Sequence, residues 1–270
     1  GRLSMKALAA SERFQLAAAA DIRPDVCAEL EKLFPGIRAF TSHQEMFAQR
    51  PTDIVCVSTW PPSHEEITLD ALRLPLKGIL VEKPLGHTAA SGRRLLDAIK
   101  RKRLPMAVPH GLLARETSLE ILSRVRRGDI GDLKLVEIQC DKWDIINAGI
   151  HWLNFFVMLT GCEPMAWVMA ACEASARTYR DGMQVETTAV TYAQTVSGVR
   201  VVMHTGDAVQ VNREGRSTLF RLVGTGGQIE FWGWEKGYHI LSPKHPNGEM
   251  ITPAPLPTSG GGAGSGLARF

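Results

Sequence analysis

A glutamate and a lysine follow directly after an apolar strand pattern in the stretch GILVEKPLG. The run GILV predicts a buried parallel strand, and Glu82 and Lys83 come at its carboxyl end, where ligands bind in open α/β sheets. Lysine is seldom buried without a partner, and Pro84 restricts Lys83 to extended geometry. The pattern therefore fits a catalytic lysine as well as it fits a surface Glu–Lys pair.

A second set of polar residues lies in the helix pattern DIINAGIHWLNFFVMLTG. Asn147, His151 and Asn154 are spaced by four and by three, so they fall on one face of a helix whose other residues are nearly all apolar. Polar groups on a buried helix must find partners, either in the protein or in a ligand pocket. Asn147 could also be a helix N-cap, and His151 could be a hydrogen-bonded core histidine.

An acid ends the strand pattern FQLAAAAD. In a dinucleotide-binding unit such an acid accepts hydrogen bonds from the adenosine ribose, about 20 residues beyond the Gly-rich turn, and Gly1 lies at that distance from Asp21. Arg23 leaves the cofactor open between NAD and NADP, because a guanidinium there could receive a 2′-phosphate. A plain strand-end turn before Pro24 would explain the same residues.

In the next loop at a strand end, VSTWPPSH, Trp60 could line a cofactor crevice or pack in a core.

The first part of the chain alternates strand and helix patterns, which predicts a doubly wound Rossmann-type parallel sheet. The predicted strands cover 14–21, 37–40, 53–58, 77–82 and 105–109, and the predicted helices lie near 2–10, 24–34, 63–74 and 87–100.

This order begins with a helix, so we expect the first strand of the fold to be missing from the sequence. Gly1 fits the third glycine of a GxGxxG turn, and the helix that starts at Arg2 would then face the pyrophosphate of a dinucleotide. Because the missing strand is central in the usual strand order, we predict that these 270 residues fold poorly and bind dinucleotide weakly. Tight binding of NADH would contradict that prediction.

After about residue 112 the patterns change to helices near 116–127 and 148–160 and many strands joined by short turns. They predict an α+β domain with a largely antiparallel open sheet. The sequence GTGG at 224–227 is a hairpin turn rather than a phosphate loop, because a strand follows it. The predicted domains are 1–112 and 113–270, the second ending in a Pro/Gly-rich tail at 252–270.

Composition limits the classes of partner. The net charge of +3 is too small to indicate nucleic acid binding, and no apolar run is long enough to span a membrane. Five scattered cysteines without CxxC spacing indicate reduced thiols in a cytoplasmic protein and no zinc site. We therefore expect a small-molecule substrate and no metal.

Taken in order, these motifs resemble the family of glucose-fructose oxidoreductases, inositol dehydrogenases and related sugar oxidoreductases (Gfo/Idh/MocA). The resemblance rests on the acid of the βαβ unit, the PP turn with His64, the EKP motif, GDIGDL before the second sheet, the GxHxxN helix and VGTGGQIEF. It is specific at EKP and at the histidine helix, and it covers nearly the whole chain. The chain departs from the family pattern at Asn147 and Asn154, where aspartates are usual, and at Trp60, where proline is common.

The resemblance implies an oxidoreductase that passes hydride between NAD(P) and a secondary alcohol of a sugar, polyol or cyclitol. Lys83 would contact the substrate hydroxyl and stabilise an alkoxide with help from Glu82, and His151, with Asn147 beside it, would transfer the proton. The cofactor turn would comprise Ser58, Thr59, Trp60, Pro61 and His64. His110 and Arg115 lie where the family often places cofactor or substrate contacts, and Lys142, Trp143 and Trp152 are expected sugar contacts because they are near His151 in sequence.

Two other functions stay open. An NAD-dependent glycoside hydrolase or lyase on the same fold would accumulate no net NADH, and a non-catalytic sugar or nucleotide sensor would explain the two asparagines. We also expect a homo-oligomer formed through the sheet of the second domain.

Overall fold

The computed structural model describes residues 1–50, 52–173, 178–211 and 215–255. These residues form two compact units, one of Gly1–Pro109 with Asp181–Met183, the other of His110–Arg180 with residues 184–255. The boundary expected from the sequence lies at residue 112. Most of the predicted tail at 252–270 falls outside the described residues.

The first unit alternates helices with short strands. Its elements are α1 Arg2–Ala9, β1 Ala18–Ala20, α2 Pro24–Leu33, β2 Arg38–Phe40, α3 His43–Gln49, β3 Ile54–Val57, α4 Pro61–Ala71, β4 Gly78–Val81, α5 Ala89–Lys102 and β5 Met106–Ala107.

All strand pairs of this unit are parallel, as predicted, but the strands form two groups. β1 pairs with β2, and β4 lies between β3 and β5, while no backbone ladder joins the groups in the described part of the chain. Val57, Val81 and Ile99 are buried in the core of the second group.

Some elements of this unit differ from their sequence patterns. β1 covers only three residues of the pattern 14–21, and β5 only two of the pattern 105–109. The helix α3 is not predicted, because seven residues are too few to show a clear helical period. Its start is nevertheless marked by Ser42, whose hydroxyl accepts a hydrogen bond from the backbone N–H of Glu45.

The second part of the chain is built mainly of strands. A 3₁₀ turn (Gly111–Ala114) and a π-helical turn (Ile145–Gly149) accompany α6 Glu116–Arg126, β6 Leu133–Asp141, α7 Ile150–Leu159, β7 Met165–Glu173, β8 Thr178–Arg180, β9 Met183–Val185, β10 Thr188–Thr195, β11 Arg200–Gly206, β12 Thr218–Gly224, β13 Gly227–Phe231, β14 Tyr238–Ser242 and β15 His245–Ile251.

Eight of these strands form one sheet in the order β15-β14-β13-β12-β6-β11-β10-β7. The pair β6–β11 is parallel and the other neighbours are antiparallel, which confirms the predicted largely antiparallel sheet. Val136, Ile138 and Cys140 are buried at alternate positions of β6 and share a core with Trp152 and Phe155 of α7. One face of the sheet is thus covered by helix.

The turn GTGG joins β12 to β13 with Gly224 opposite Gly227, so the predicted hairpin is confirmed. β15, with its sequence HPNGEMI, is not predicted, because an edge strand can be polar and can contain proline.

The structure also corrects the start of the helix that carries His151. α7 begins at Ile150, and the preceding π-helical turn has Asp144 as its N-cap, so the cap is not Asn147.

Candidate active site

Asp21 follows β1 and is held by Arg23. The backbone N–H and the guanidinium of Arg23 donate to the Asp21 carboxylate at 3.0, 2.9 and 3.0 Å. These hydrogen bonds, first of all those from the guanidinium, hold the pKa of the Asp21 carboxyl below its usual value, although desolvation opposes them. The predicted ribose acceptor is therefore a charged carboxylate whose charge is already balanced within the protein.

The helix α1 begins directly after Gly1, and Arg2 in its first turn forms an ion pair with Glu29. A Cβ added at Gly1 would meet Ser58 at 3.8–3.9 Å, an ordinary contact distance. The backbone of Gly1 thus lies beside the end of β3, but that packing does not itself require a glycine.

The loop after β3 has both buried and exposed members. The Ser58 hydroxyl is buried and has no hydrogen-bond partner among the described residues, and Thr59 accepts a hydrogen bond from Ser63 at 2.8 Å. The Trp60 side chain is 67% exposed, so it is available to a ligand. Pro61, which was also expected at the cofactor, is buried at the start of α4.

His64, another expected cofactor contact, lies inside the protein. Its ring is fully buried, Nδ1 lies 2.9 Å from the carbonyl oxygen of Pro84, and Nε2 lies 3.0 Å from that of Thr59. Both ring nitrogens thus face backbone carbonyls, so His64 connects the loop after β3 with the loop after β4.

Glu82 and Lys83 lie at the carboxyl end of β4, as the apolar run predicts. Both side chains are partly buried, and the Glu82 carboxylate accepts a hydrogen bond from the backbone N–H of Lys83 at 3.3 Å. The peptide bond between Lys83 and Pro84 is cis. Glu82 thus helps to fix the backbone that carries Lys83.

In the second unit, His151 lies in the first turn of α7 and contacts His110. Their Nδ1 atoms are 3.2 Å apart, and the rings meet edge to face with centroids 5.2 Å apart. Both residues are partly buried. His110 was expected as a cofactor or substrate contact, and the structure places it beside the candidate proton-transfer residue.

Trp234 forms a second side of this cluster. Its ring lies 5.4 Å from that of His151, centroid to centroid, and is 40% exposed, and its carbonyl oxygen accepts a hydrogen bond from Arg115. Trp152, an expected sugar contact, is only 1% exposed and packs in the core against Phe220. Trp152 thus lies in the core, and Trp234 is the exposed indole beside His151.

The segment before α7 is organised by Asp144, which is 2% exposed. Its carboxylate accepts hydrogen bonds from the backbone N–H of Asn147 at 2.8 Å and from the Asn147 side-chain amide at 3.0 Å, and it pairs with Arg180 at 3.3 Å. The Arg180 guanidinium also lies over the ring of Trp143, 5.0 Å from its centroid. Lys142 and Trp143 are exposed, as substrate contacts would need to be.

Asp144 and Trp234 are the functional candidates that sequence reasoning missed. An aspartate three residues before Asn147 is an N-cap signal that could have indicated Asp144. No local pattern points to Trp234, because its neighbours come from distant parts of the chain.

One group of side chains has the composition of a metal site. His43 on α3 and Glu66 and Asp70 on α4 offer ligand atoms within 4.8 Å of one another. Asp70, however, already accepts a hydrogen bond from His43 at 3.0 Å and pairs with Arg73 at 3.3 Å. The hydrogen bond from His43 lowers the pKa of the Asp70 carboxyl, so the group is explained as a surface ion-pair cluster.

The first unit fits a dinucleotide. A buried polar atom without a protein partner at a ligand-binding edge is a natural contact for a cofactor, and the Ser58 hydroxyl is such an atom. Asp21, Trp60 and Lys83 also follow the carboxyl ends of parallel strands. These features define an α/β protein of the dinucleotide-binding class.

The family comparison agrees with this class. Residues 1–110 match the model of the Gfo/Idh/MocA oxidoreductase family, described as an NAD-binding Rossmann fold. This part of the chain is therefore similar to the NAD-binding fold of that family, in agreement with the predicted resemblance and the expected class of cofactor.

Curated relatives of the chain are oxidoreductases and a catabolic protein. The rhizopine catabolism protein MocA of Rhizobium meliloti is 25% identical over 190 residues, which are 65% of this chain and 58% of that protein. Inositol 2-dehydrogenase of Klebsiella pneumoniae is 33% identical over 100 residues, 36% of this chain and 29% of that enzyme. The chain thus spans less than two thirds of the length of either relative.

Solved structures share the fold. An oxidoreductase from Agrobacterium radiobacter in complex with NAD⁺, L-tartaric acid and magnesium has a TM-score of 0.78 at 16% identity, covering 98% of this chain and 80% of that one. An inositol dehydrogenase homologue from Azotobacter vinelandii, complexed with NADH and myo-inositol, has a TM-score of 0.77 at 18% identity, covering 93% and 72%. At these identities the likeness establishes the fold.

Among the helices of the described ranges, none has the length and apolar character that a membrane span requires.

Proposed function

We propose that this protein is a nicotinamide-dependent oxidoreductase that acts on a secondary alcohol of a sugar, polyol or cyclitol, with NAD as the first choice of cofactor. The observation that carries the proposal is the position of Lys83, at the carboxyl end of a strand in the sheet that matches the NAD-binding family. The relative named inositol 2-dehydrogenase and the neighbour that binds myo-inositol support this class of substrate.

The first unit would hold the cofactor, which supplies the hydride acceptor when it is bound. Asp21 would accept from the adenosine ribose, and the N-terminus of α1, at Gly1 and Arg2, would face the pyrophosphate. Ser58 offers its unpartnered hydroxyl, and Trp60 offers an exposed indole.

Lys83 would bind and orient the reacting hydroxyl. A partly buried ammonium at this position favours negative charge on the hydroxyl oxygen, because its field is less screened than it would be in water. Glu82 contributes by accepting from the backbone N–H of Lys83, which fixes the point from which the side chain extends.

His151 would take the hydroxyl proton in the oxidising direction and return it in the reducing direction. Imidazole suits this role because it exchanges a proton near neutral pH. Asn147, held by Asp144, would orient the start of the helix that carries His151. Trp234, Trp143, Lys142 and Arg115 are the candidate sugar contacts of the second unit.

Substitution of Lys83 and His151 tests the proposal. With myo-inositol and related polyols as substrates and NAD⁺ as the oxidant, Lys83→Ala and His151→Ala should each lower turnover by about 10²–10⁴-fold. Lys77→Ala is the matched control for the first, because Lys77 lies just before the opposite end of β4 and is 76% exposed. His204→Ala, at an exposed position of β11, is the control for the second. Unchanged turnover in either test variant would remove the mechanism proposed for that residue.

The same assay separates the other two functions. Cleavage of a glycosidic bond without net NADH would identify the hydrolase or lyase, and binding of NADH without turnover of any polyol would identify a sensor.

The sheet of the second unit is the proposed surface for self-association. Met169 on β7 is 60% exposed and Val190 on β10 is 41% exposed, and the β7–β10 register places both side chains on the same face of the sheet. Burial of such apolar side chains between two copies would favour an oligomer. Light scattering should show a homo-oligomer whose mass falls with Val190→Lys.

We also propose a reducing, cytoplasmic location, since none of the five cysteines forms a disulfide.

A further inference from the structure

The Nδ1 atoms of His110 and His151 lie 3.2 Å apart, within hydrogen-bond distance. A neutral imidazole has one N–H and one lone pair, so such a contact is a hydrogen bond only when one ring donates from Nδ1 and the other accepts at Nδ1. We infer that His110 is a positioning residue that fixes the tautomer of His151 and receives its proton during turnover. This inference rests on the proton-transfer role proposed for His151.

The contact determines which nitrogen of His151 meets the substrate. When His151 donates from Nδ1 to His110, its Nε2 carries the lone pair that can accept the proton of the substrate hydroxyl. The amide of Asn147 cannot accept a proton in this role, and the carboxylate of Asp144 is engaged by Asn147 and Arg180. His110 therefore supplies the basic partner that the start of α7 does not.

The proton step is balanced. In the oxidising direction the O–H bond of the substrate breaks and an Nε2–H bond forms on His151. The Nδ1–H bond of His151 then breaks and an Nδ1–H bond forms on His110, whose own proton sits on Nε2. His110 becomes an imidazolium and releases that Nε2 proton to water, which its partly exposed position allows. At this point His151 holds the substrate proton on Nε2, and its Nδ1 accepts from His110. Before the next turnover water takes the Nε2 proton of His151 and supplies one to Nε2 of His110, and the Nδ1 proton returns from His110 to His151, which restores the starting tautomers.

The indoles of Trp152 and Trp234 also lie against the ring of His151. Three charged groups on the neighbouring elements have partners of their own. Arg115 donates to the carbonyl of Trp234, Glu235 pairs with Arg216, and Asp144 pairs with Arg180.

Imidazole NMR tests the tautomer without any substrate. Long-range ¹H–¹⁵N spectra of the labelled protein show which nitrogen of each histidine carries the proton, and His110→Gln and His151→Gln assign the two rings among the eight histidines. We expect His151 to carry its proton on Nδ1 in the wild-type protein. His110→Asn should keep that tautomer, because the Asn carbonyl oxygen can accept from Nδ1–H, whereas His110→Phe should shift the proton to Nε2. The same His151 tautomer in His110→Phe as in the wild type would overturn the inference.

Kinetics test the proton transfer, with myo-inositol and NAD⁺ as the probe. His110→Phe should lose about 10²-fold or more in kcat, as wrong-tautomer variants do, and His110→Asn should lose less with KM little changed. Added imidazole should restore turnover to His110→Ala but leave His204→Ala unaffected. A His110→Ala variant that is fully active without imidazole would contradict the proton role.

The two proposals fail separately. If the spectra are as expected but His151→Ala keeps full turnover, the histidine pair is real and the proposed function of His151 is wrong. If His151→Ala is inactive but the tautomer of His151 is unchanged in His110→Phe, the proposed function stands and this inference is wrong.

Discussion

Asp21 and Arg23 form a closed pair, with Nε and Nη2 of the guanidinium 2.9 and 3.0 Å from the two carboxylate oxygens. A free carboxylate at the end of β1 would repel the 2′-phosphate of NADP, and a free guanidinium would attract it. In the pair each charge compensates the other, so substitution of either residue should change the preference between NAD and NADP.

Breaking this pair should change cofactor preference in opposite directions. Asp21→Ala should weaken NADH binding by about tenfold, the loss of a charge-assisted hydrogen bond, and should improve NADPH binding because Arg23 is released. Arg23→Ala should weaken NADPH binding more than NADH binding. Fluorescence titration with both cofactors measures the two ratios, and Asp53→Ala, an exposed acid paired with Lys77, is the control. Identical NADH-to-NADPH ratios in all four proteins would show that the pair does not select the cofactor.

The raised pKa of Tyr238 predicts that the folded protein loses stability at alkaline pH. Burial is the largest cause that raises its pKa to about 12, although the Arg124 guanidinium beside it acts in the opposite sense. The phenol ionises near pH 10 when unfolded, so the stability that its burial contributes is complete below pH 10 and is lost as the pH rises toward 12. Urea unfolding between pH 9 and 12 should show a steeper decline for the wild type than for Tyr238→Phe.

Absorbance titration gives an independent measure of the same group. Of the three tyrosines, one phenol should ionise at about pH 12 in the folded protein, and that component should be absent from Tyr238→Phe. Three phenols that titrate together near pH 10 before unfolding would contradict the assignment.

Asp144 should be important for folding of the second unit. Asp144→Ala removes the N-cap of the π-helical turn and leaves Arg180 without its buried partner, at a cost of about 2–4 kcal/mol in the free energy of unfolding. Asp144→Asn keeps an acceptor for the N–H of Asn147 and should cost less. Asp207→Asn, at an exposed loop position, should change stability by no more than about 0.5 kcal/mol. Equal unfolding midpoints for Asp144→Ala and the control would show that the cap carries no stability.

Local sequence patterns identified the candidate residues whose position depends on a single strand or a single helix. Lys83 follows directly after an apolar run, and Asp21 ends another, so local periodicity is enough to set both at strand ends. It did not separate exposed from buried neighbours, since Trp152 and Trp60 are equally apolar and only tertiary packing buries the first. His110 and His151 are 41 residues apart, and their contact depends on how the 3₁₀ turn packs near α7, which no local pattern specifies.

Trp234 should contribute to substrate affinity more than to the chemical step. Its indole is 40% exposed beside His151, and an aromatic face of this kind binds the C–H side of a sugar or cyclitol ring while the hydroxyls point elsewhere. Trp234→Ala should raise KM for the best polyol substrate by about tenfold, because roughly 1–2 kcal/mol of apolar contact is lost, and Trp234→Phe should recover much of it. Met250→Ala, which removes a 51% exposed side chain of β15, is the control for surface truncation. A Trp234→Ala variant that lowers kcat with KM unchanged would show instead that the indole acts through His151.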